Sequence, residues 1–516
     1  MLADIGSAIA LVLTWQALLW ITIGYSLGAL LGAIPGLTGI LGIALLLPLS
    51  FYLPPWVAIP MLVAIAKGSS FGCNIPAILL NTPGTPAAAA TCIDGHKLAL
   101  QGKGSKALKV NLYAGLCGDL FSDIVLILSA GLLAQLALRF GPAEYAAIML
   151  FSLTVVGAVS TGAVTKGIMG AALGVLLGMV GTDMITGVAR LDFGVLELTG
   201  GINMIALMIG LLSLAEIFLQ AERLLSHKHS DGIRRETIPQ SSHPDDSRIT
   251  REDWPLVIKA TAIGSLIGTA IGVLPGIGQS VAAFVGYGEA RRFSSKPERF
   301  GTGTVEGVAA PEAAASAVNG ANMIPLLALG IPGDVTAAVL LGALLIQGLA
   351  PGPLLFEEHR VTVFALFAGM MLTNLIHVPV GLLFIRAATF ITRIKLSHML
   401  PVIFILCVAG TFALNNSLFD VFVLVVAGFF GALLRKGGFA PVTIVIGFIL
   451  GPLLENSVRQ ALLISQGRYL TFLERPISLL FIVLTLVSVV GSVVHARRAN
   501  RRRGTRAESP ATSNLQ

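Results

Sequence analysis

The chain has 516 residues, of which 55% are hydrophobic and only 12% are charged. A soluble domain carries about 25% charged residues, so this composition excludes a soluble protein. It predicts an all-α polytopic membrane protein with about 12 transmembrane segments, since a span needs about 20 apolar residues. The net charge of +7 comes from basic residues between the apolar runs and at the tail. It indicates membrane topology and no nucleic-acid partner.

The N-terminal segment predicts a retained span rather than a cleaved signal peptide. Residues 1–10 contain Asp4 and neither Lys nor Arg, so the cationic region of a signal peptide is missing. The first apolar run, near residues 10–32, is long enough to cross a bilayer.

Two Gly/Pro motifs interrupt the apolar runs of the first half. One is Gly-Ala-Leu-Leu-Gly-Ala-Ile-Pro-Gly-Leu-Thr-Gly at residues 28–39, and the other is Ile-Pro at 75–76 followed by Pro-Gly at 83–84. Proline breaks a helix because it lacks the amide hydrogen and clashes with the preceding turn. Glycine lets a ligand approach the backbone closely. We therefore expect broken or re-entrant helices here, around residues 70–93.

Both motifs recur in the second half, in the same order. Gly-Thr-Ala-Ile-Gly-Val-Leu-Pro-Gly-Ile-Gly-Gln occupies residues 268–279, and Ile-Pro at 324–325 precedes Pro-Gly at 332–333. Breaks at corresponding positions of two apolar halves indicate the binding site of a secondary transporter. A plain kink or a glycine-mediated helix contact is the alternative at each single motif.

A hydrophilic interval separates the two halves, and a basic segment ends the chain. The predicted domains are a first membrane repeat at 1–221, a connector at 222–253, a second repeat at 254–475, a final transmembrane helix at 476–496 and a disordered tail at 497–516. The tail is rich in arginine directly after the last span, which predicts a cytoplasmic C-terminus.

The basic residues around the motifs predict that the two repeats are inverted. The loop after the first motif is uncharged in the first half (residues 51–55) and basic in the second (residues 291–299). After the second motif the bias reverses, with lysines at 97–109 and glutamates at 357–358. Equivalent loops with opposite basic bias belong on opposite sides of the membrane.

Polar residues beside the breaks are the candidates for contact with substrate, because hydroxyls and amides can bind carboxylates or complete a sodium shell. The residues predicted to bind substrate are Gly36, Thr38, Gly39, Ser69, Ser70, Asn74, Asn81, Thr82, Gly84, Thr85, Gly276, Gly278, Gln279, Asn319, Asn322, Gly333, Asp334 and Thr336. Lys67, Glu312 and Ser316 are further candidates; the two charged groups could equally lie at a segment end in water.

These motifs resemble one known family. Gly-Ala-Ile-Pro-Gly-Leu-Thr-Gly at 32–39, Lys-Gly-Ser-Ser-Phe-Gly-Cys-Asn-Ile-Pro at 67–76 and Asn-Thr-Pro-Gly-Thr-Pro at 81–86 are similar to the large membrane subunit of the tripartite tricarboxylate transporters. Gly-Val-Leu-Pro-Gly-Ile-Gly-Gln at 272–279 adds to this resemblance, which extends over most of residues 10–495.

The resemblance implies a multi-pass permease in the bacterial inner membrane. It implies a small membrane subunit and a periplasmic solute-binding protein as partners, and carboxylates such as citrate as substrates, taken up with an ion gradient. The sequence has no G-x4-G-K-[ST] loop for ATP and no H-E-x-x-H motif. The alternatives from other classes are a channel, which would present a continuous filter, and an intramembrane enzyme.

No cofactor is expected beyond a coupling ion. A carboxylate must enter against an inside-negative potential, and co-transported cations offset that cost. Oxygen ligands at the breaks favour Na+ over a proton, with Thr38, Gln279 and Asp334 as possible ligands. Asp334 would be the titratable group if protons are used instead.

Overall fold

The computed structural model describes residues 2–34, 37–137, 140–159, 164–183, 186–226, 244–274, 277–352, 354–391 and 396–489. The fold is almost entirely helical, which confirms the predicted all-α polytopic class. Nine described helices are long and apolar enough to cross a membrane, and four more are apolar but shorter. These described helices do not establish the predicted number of about 12 spans.

The first half begins with helices that the sequence motifs separate. Its elements are α1 (Leu2–Val12), α2 (Trp15–Gly32), α3 (Gly39–Ser50), α4 (Pro55–Gly72), α5 (Asn74–Leu80), α6 (Pro86–Leu100) and α7 (Gly104–Ala137). They are followed by α8 (Pro142–Val159), α9 (Val164–Gly178), β1 (Gly181–Thr182), β2 (Ala189–Arg190), α10 (Leu196–Thr199), α11 (Met204–Ile209) and α12 (Ala215–Ser226). Strands β1 and β2 form an antiparallel hairpin in which Gly181 pairs with Arg190, and a π-helical turn joins α11 to α12.

The second half repeats this order of long and broken helices. Its elements are α13 (Pro244–Ser247), α14 (Asp253–Gly272), α15 (Gly278–Phe293), α16 (Glu306–Leu329), α17 (Val335–Ile346), α18 (Leu355–Glu358) and α19 (Arg360–Ile391). The remaining helices are α20 (Leu396–Asn415), α21 (Leu418–Lys436), α22 (Pro441–Ile464), α23 (Thr471–Glu474) and α24 (Pro476–Val489). The predicted connector lies partly outside the described residues, and the basic tail lies wholly outside them.

Two compact units make up the chain. The first comprises Met1–Arg139 and Ile202–Leu433, and the second comprises Phe140–Gly201 and Leu434–Gln516. Each unit draws on both halves of the sequence. The repeat boundaries at 221 and 254 therefore remain predictions about the sequence duplication.

Helices α4 and α16 form the centre of the first unit. Both are buried along nearly their whole length, as expected for a helix that is covered on every side. Helix α2 packs on α4 through glycines, since a Cβ at Gly28 would lie 2.1 Å from the Ile65 carbonyl oxygen. Helix α14 packs on α16 in the same register, with Gly268 at the same distance from the Ala314 oxygen. Small residues permit this backbone contact between helices.

The second unit is held together by another glycine-lined helix pair. A Cβ at Gly174 of α9 would lie 2.0 Å from the Ile444 oxygen of α22, and one at Gly447 would lie 2.1 Å from the Ala171 oxygen of α9. Beyond this pair, Arg190 of the hairpin binds Glu455 of α22 at 2.8 Å. The ion pair fixes the hairpin to the middle of α22.

Candidate functional site

The two breaks of the first half meet. Helix α2 ends at Gly32, and a Cβ at Gly84 would lie 3.2 Å from both the Gly32 carbonyl oxygen and Cys73 Cβ. Thr85 follows at the N-cap of α6, where its hydroxyl accepts a hydrogen bond from Ala88 N at 3.2 Å. The segment 81–85 therefore runs back from the C-terminal end of α5 to its N-terminal end, next to the end of α2.

The breaks of the second half meet in the same way. A Cβ at Gly333 would lie 3.3 Å from the Gly272 carbonyl oxygen and 2.1 Å from Asn322 Oδ1. Asp334 occupies the N-cap of α17 and accepts a hydrogen bond from Ala337 N at 2.9 Å. Asp334 thus matches Thr85 in its structural role as well as in its position within the motif.

Helices that begin at these breaks have free backbone N–H groups, with partial positive charge, at their N-termini. Thr38 lies at the N-cap of α3 without a side-chain capping bond. Gly39 beside it packs against Ser69 of α4, whose Oγ would lie 2.8 Å from an added Cβ. In the second half Gly278 lies next to Asp334, and Thr336 is in the first turn of α17.

Some predicted site residues lie elsewhere. Asn81, in a left-handed conformation, and Thr82 are exposed beyond the end of α5. Asn81 accepts a bond from Cys92 Sγ, and the Thr82 amide donates to Pro76 O. Gly36 and Gly276 lie outside the described residues.

A buried ion cluster lies between α4, α7 and α19. The ammonium group of Lys67 donates to Asp123 Oδ2 at 2.5 Å and to Asn374 Oδ1 at 2.9 Å. Asn374 Nδ2 donates to the same Asp123 oxygen at 2.7 Å. The side chains of Lys67 and Asp123 are 0% and 1% exposed, so this is an ion pair removed from water.

The cluster continues through Asp119 to the break between α14 and α15. Lys67 Nζ is 3.8 Å from Asp119 Oδ1. Asn319 Nδ2 of α16 donates to the same oxygen at 3.1 Å. Gln279 Nε2, in the first turn of α15, donates to Asn319 Oδ1 at 2.6 Å. Two predicted site residues, Asn319 and Gln279, therefore connect the ion cluster to a helix break.

A second buried carboxylate belongs to Glu312 of α16. Asn74 Nδ2 donates to its Oε2, and Ser316 Oγ donates to its Oε1 at 3.2 Å. The Asn74 amide also donates to the Ser70 carbonyl at 3.1 Å. Predicted residues of α4, α5 and α16 are thus brought together around this carboxylate.

Three residues of this cluster were not predicted from the sequence, namely Asp119, Asp123 and Asn374. Asp119 and Asp123 are four residues apart in an apolar run, so they share one helix face. Ionisable residues within a predicted span are functional candidates by default, and that signal was present. For Lys67 and Glu312 the structure decides between burial and water contact, since both are 1% exposed.

The charges of these groups do not balance. Among the described residues of this region, the ammonium group of Lys67 contacts the carboxylates of Asp119 and Asp123. The carboxylate of Glu312 receives its hydrogen bonds from the neutral side chains of Asn74 and Ser316. Buried charges need compensation, because transfer from water is costly without it. The region can therefore attract cations.

Matching helix breaks around buried polar groups are the pattern expected of polytopic helical transporters. The profile of the tripartite tricarboxylate transporter TctA family matches residues 18–446. The chain belongs to this family and is thus the permease subunit of a tripartite transporter. The family resemblance predicted from the motifs is confirmed.

Two curated relatives come from Agrobacterium vitis, and both are named as uncharacterized. One is a 52.8 kDa protein in the TAR-I ttuC' 3' region, 35% identical over 491 residues that cover 95% of each chain. The other is a protein in the TAR-II ttuC' 3' region, 36% identical over 234 residues, which are 45% of this chain and 97% of that relative. No solved structure matches the chain.

Proposed function

We propose that this permease imports carboxylates, either tricarboxylates such as citrate or dicarboxylates, by cation symport and alternating access. Its proposed partners are a small membrane subunit and a periplasmic solute-binding protein, in a bacterial inner membrane. Family membership supports the transporter class over an enzyme. The paired helix breaks support a site approached from either side of the membrane.

The charge balance of the site supports symport. An anionic substrate near the helix breaks also meets a region with more carboxylates than ammonium groups. Cations that enter with the substrate offset both this repulsion and the inside-negative potential. We favour Na+ over protons, since hydroxyl, amide and freed carbonyl oxygens at the breaks suit it. Thr38, Gln279 and Asp334 are its candidate ligands at the breaks.

Reciprocal contacts support the inverted arrangement of the repeats. Gln101 Nε2, after α6, donates to Thr302 O before α16 at 2.9 Å. Gln347 Nε2, after α17, donates to Ser50 O before α4 at 2.5 Å. The segment after α6 thus meets the loop before α16, and the segment after α17 meets the loop before α4.

The direction of α6 decides what these contacts mean. Helix α6 runs alongside α5 in the same direction, since Gly84 lies next to Cys73 and Cys92 Sγ donates to Ala77 O. In two halves of the same orientation, these partners would lie on opposite faces of the membrane.

Reporter fusions test this topology. Fusions after Pro54 and after Arg299 are expected to report opposite sides of the membrane, with the Arg299 fusion cytoplasmic because its loop is basic. A fusion after Gly504 should report the cytoplasm too. Pro54 and Arg299 reporters on the same side would contradict the inversion.

Uptake by proteoliposomes with the cognate binding protein tests the function. We expect labelled di- or tricarboxylates to accumulate above equilibrium when a cation gradient is imposed, because coupled transport stores the gradient energy. Separate Na+ and proton gradients identify the ion. Transport of amino acids or sugars without carboxylates would refute the substrate class, and equilibration without accumulation would favour a channel.

A further inference from the structure

The buried ion cluster contains one carboxylate more than its ammonium group can neutralise. Lys67 forms its short contact with Asp123, at 2.5 Å, and lies 3.8 Å from Asp119. Asn374 strengthens the first pair by hydrogen bonding both partners. The positive charge of Lys67 therefore mainly neutralises Asp123, and the negative charge of Asp119 is left over.

Asp119 also has an open oxygen. Asn319 bonds its Oδ1, whereas its Oδ2 has no hydrogen-bond partner among the described residues, although the side chain is fully buried. A carboxylate in this position is costly as a bare anion. A proton or a metal cation on Oδ2 would satisfy both its charge and its free lone pairs.

A chain of two hydrogen bonds connects the Asp119 carboxylate to the break between α14 and α15. Asn319 turns its nitrogen to Asp119, so its oxygen faces Gln279 Nε2 at 2.6 Å. A cation at Asp119 reduces the negative charge that orients this amide. Occupancy of Asp119 can thereby alter the hydrogen bonding of Gln279, in the first turn after the break.

We propose that Asp119 binds one monovalent cation, a proton or Na+, and couples its binding to the break at Gln279. This site is distinct from the ligands suggested at the breaks. Its role in coupling rests on the proposed symport, but cation binding is measurable without any substrate.

The charged and titratable groups around Asp119 come from several helices. They are Lys67 of α4, Asp123 of α7, Glu312 of α16 and Tyr25 of α2. His377 of α19 lies beside the ring of Tyr25 and in the field of Lys67. Other carboxylates on helices packed against α7 have partners of their own. Asp94 accepts hydrogen bonds from the backbone of 301–304, and Asp253 binds Lys106 at 3.0 Å.

Thermal unfolding of the purified protein tests the binding. A cation that binds only the folded state raises the unfolding temperature. One series replaces choline with Na+ at fixed pH, and the other lowers the pH without Na+. We expect one series to stabilise the wild type, which identifies the cation, and Asp119→Asn to lose that stabilisation. In the proton case, stability rises as the pH falls, because the folded state then binds more protons than the unfolded state.

Asp420→Asn is the matched control. Asp420 is another buried carboxylate, but two neutral amides, those of Asn203 and Asn415, bind it at 2.8 and 2.9 Å. This variant should respond to the cation as the wild type does. A wild type that responds in neither series, or an Asp119→Asn variant that responds fully, overturns the proposal. Equal loss of the response in Asp420→Asn does so too.

Transport in proteoliposomes tests the coupling. Losing one co-transported charge should lower the attainable accumulation about 50-fold at 100 mV. Carboxylate exchange across the membrane needs no net cation movement, so Asp119→Asn should retain it and Asp119→Glu should restore accumulation. Equal loss of exchange and accumulation, without rescue by Asp119→Glu, overturns the coupling role. A wild type that moves no carboxylate refutes the proposed function and leaves the unfolding result intact.

Discussion

Lys67→Met is expected to lower the free energy of unfolding by about 3–5 kcal/mol, the usual cost of removing one partner from a buried ion pair. Methionine resembles lysine in length, so the change removes mainly the charge and its hydrogen bonds. Asp123 would keep one neutral donor, Asn374, but would lose the ammonium group at 2.5 Å. Chemical unfolding of the purified variant measures the loss.

Two further variants make this test specific. Lys67→Met with Asp123→Asn removes both partners of the short pair and should recover at least half of the lost stability. The recovery is partial because Asp119, 3.8 Å from Lys67 Nζ, also loses its ammonium neighbour. Lys259→Met replaces an exposed lysine that bonds Phe293 O and should change stability by less than about 0.5 kcal/mol. If Lys67→Met is as stable as Lys259→Met, the ammonium group is not needed to hold the two carboxylates.

Gly268→Ala should destabilise the protein by about 3 kcal/mol or prevent its accumulation in the membrane. The new Cβ would lie 2.1 Å from the Ala314 carbonyl oxygen and 2.8 Å from its carbonyl carbon. Both are backbone atoms of a central helix, so α14 must move away from α16 as a whole. Fluorescence-detected chromatography and thermal unfolding of the solubilised protein measure the effect.

Gly288→Ala is the matched control, since it lies in α15 and a Cβ there meets nothing within 4 Å. Alanine favours the helix by about 1 kcal/mol over glycine, so this variant should be neutral or slightly more stable. Gly28→Ala should reproduce the defect of Gly268→Ala, because Gly28 makes the matching contact with Ile65. Wild-type stability in both Gly28→Ala and Gly268→Ala would contradict the backbone contacts of α2 with α4 and of α14 with α16.

The helix breaks, and their occurrence at corresponding positions of the two halves, could be predicted because proline and glycine act locally. A Pro-Gly pair combines the loss of an amide hydrogen with a flexible glycine, and α2 and α14 both end just before such a pair. Proline alone does not end a helix, since Pro60 lies inside α4 and Pro325 inside α16. The duplication was also visible, since both motifs recur in order. The meeting of Gly84 with Gly32, and of Gly333 with Gly272, agrees with that pattern.

The ion cluster could be predicted only in part. Asp119 and Asp123 are recognisable as charges within an apolar run, and Lys67 was a candidate, but their partnership joins residues 56 positions apart and also recruits Asn374, 307 positions from Lys67. Helix periodicity says which residues share a face of one helix. It does not say which helix that face meets.

By itself, the sequence determined that this protein is a helical membrane protein, because the length of apolar runs is a local property. Its glycine–proline motifs also resembled those of the tripartite tricarboxylate transporters, the family to which the chain belongs. Only the tertiary structure decided that Lys67 and Glu312 are buried and that Asn319 and Gln279 connect Asp119 to a helix break. Burial and charge compensation depend on the groups that other helices supply. A carboxylate in a span is paired, hydrogen-bonded or uncompensated according to those neighbours.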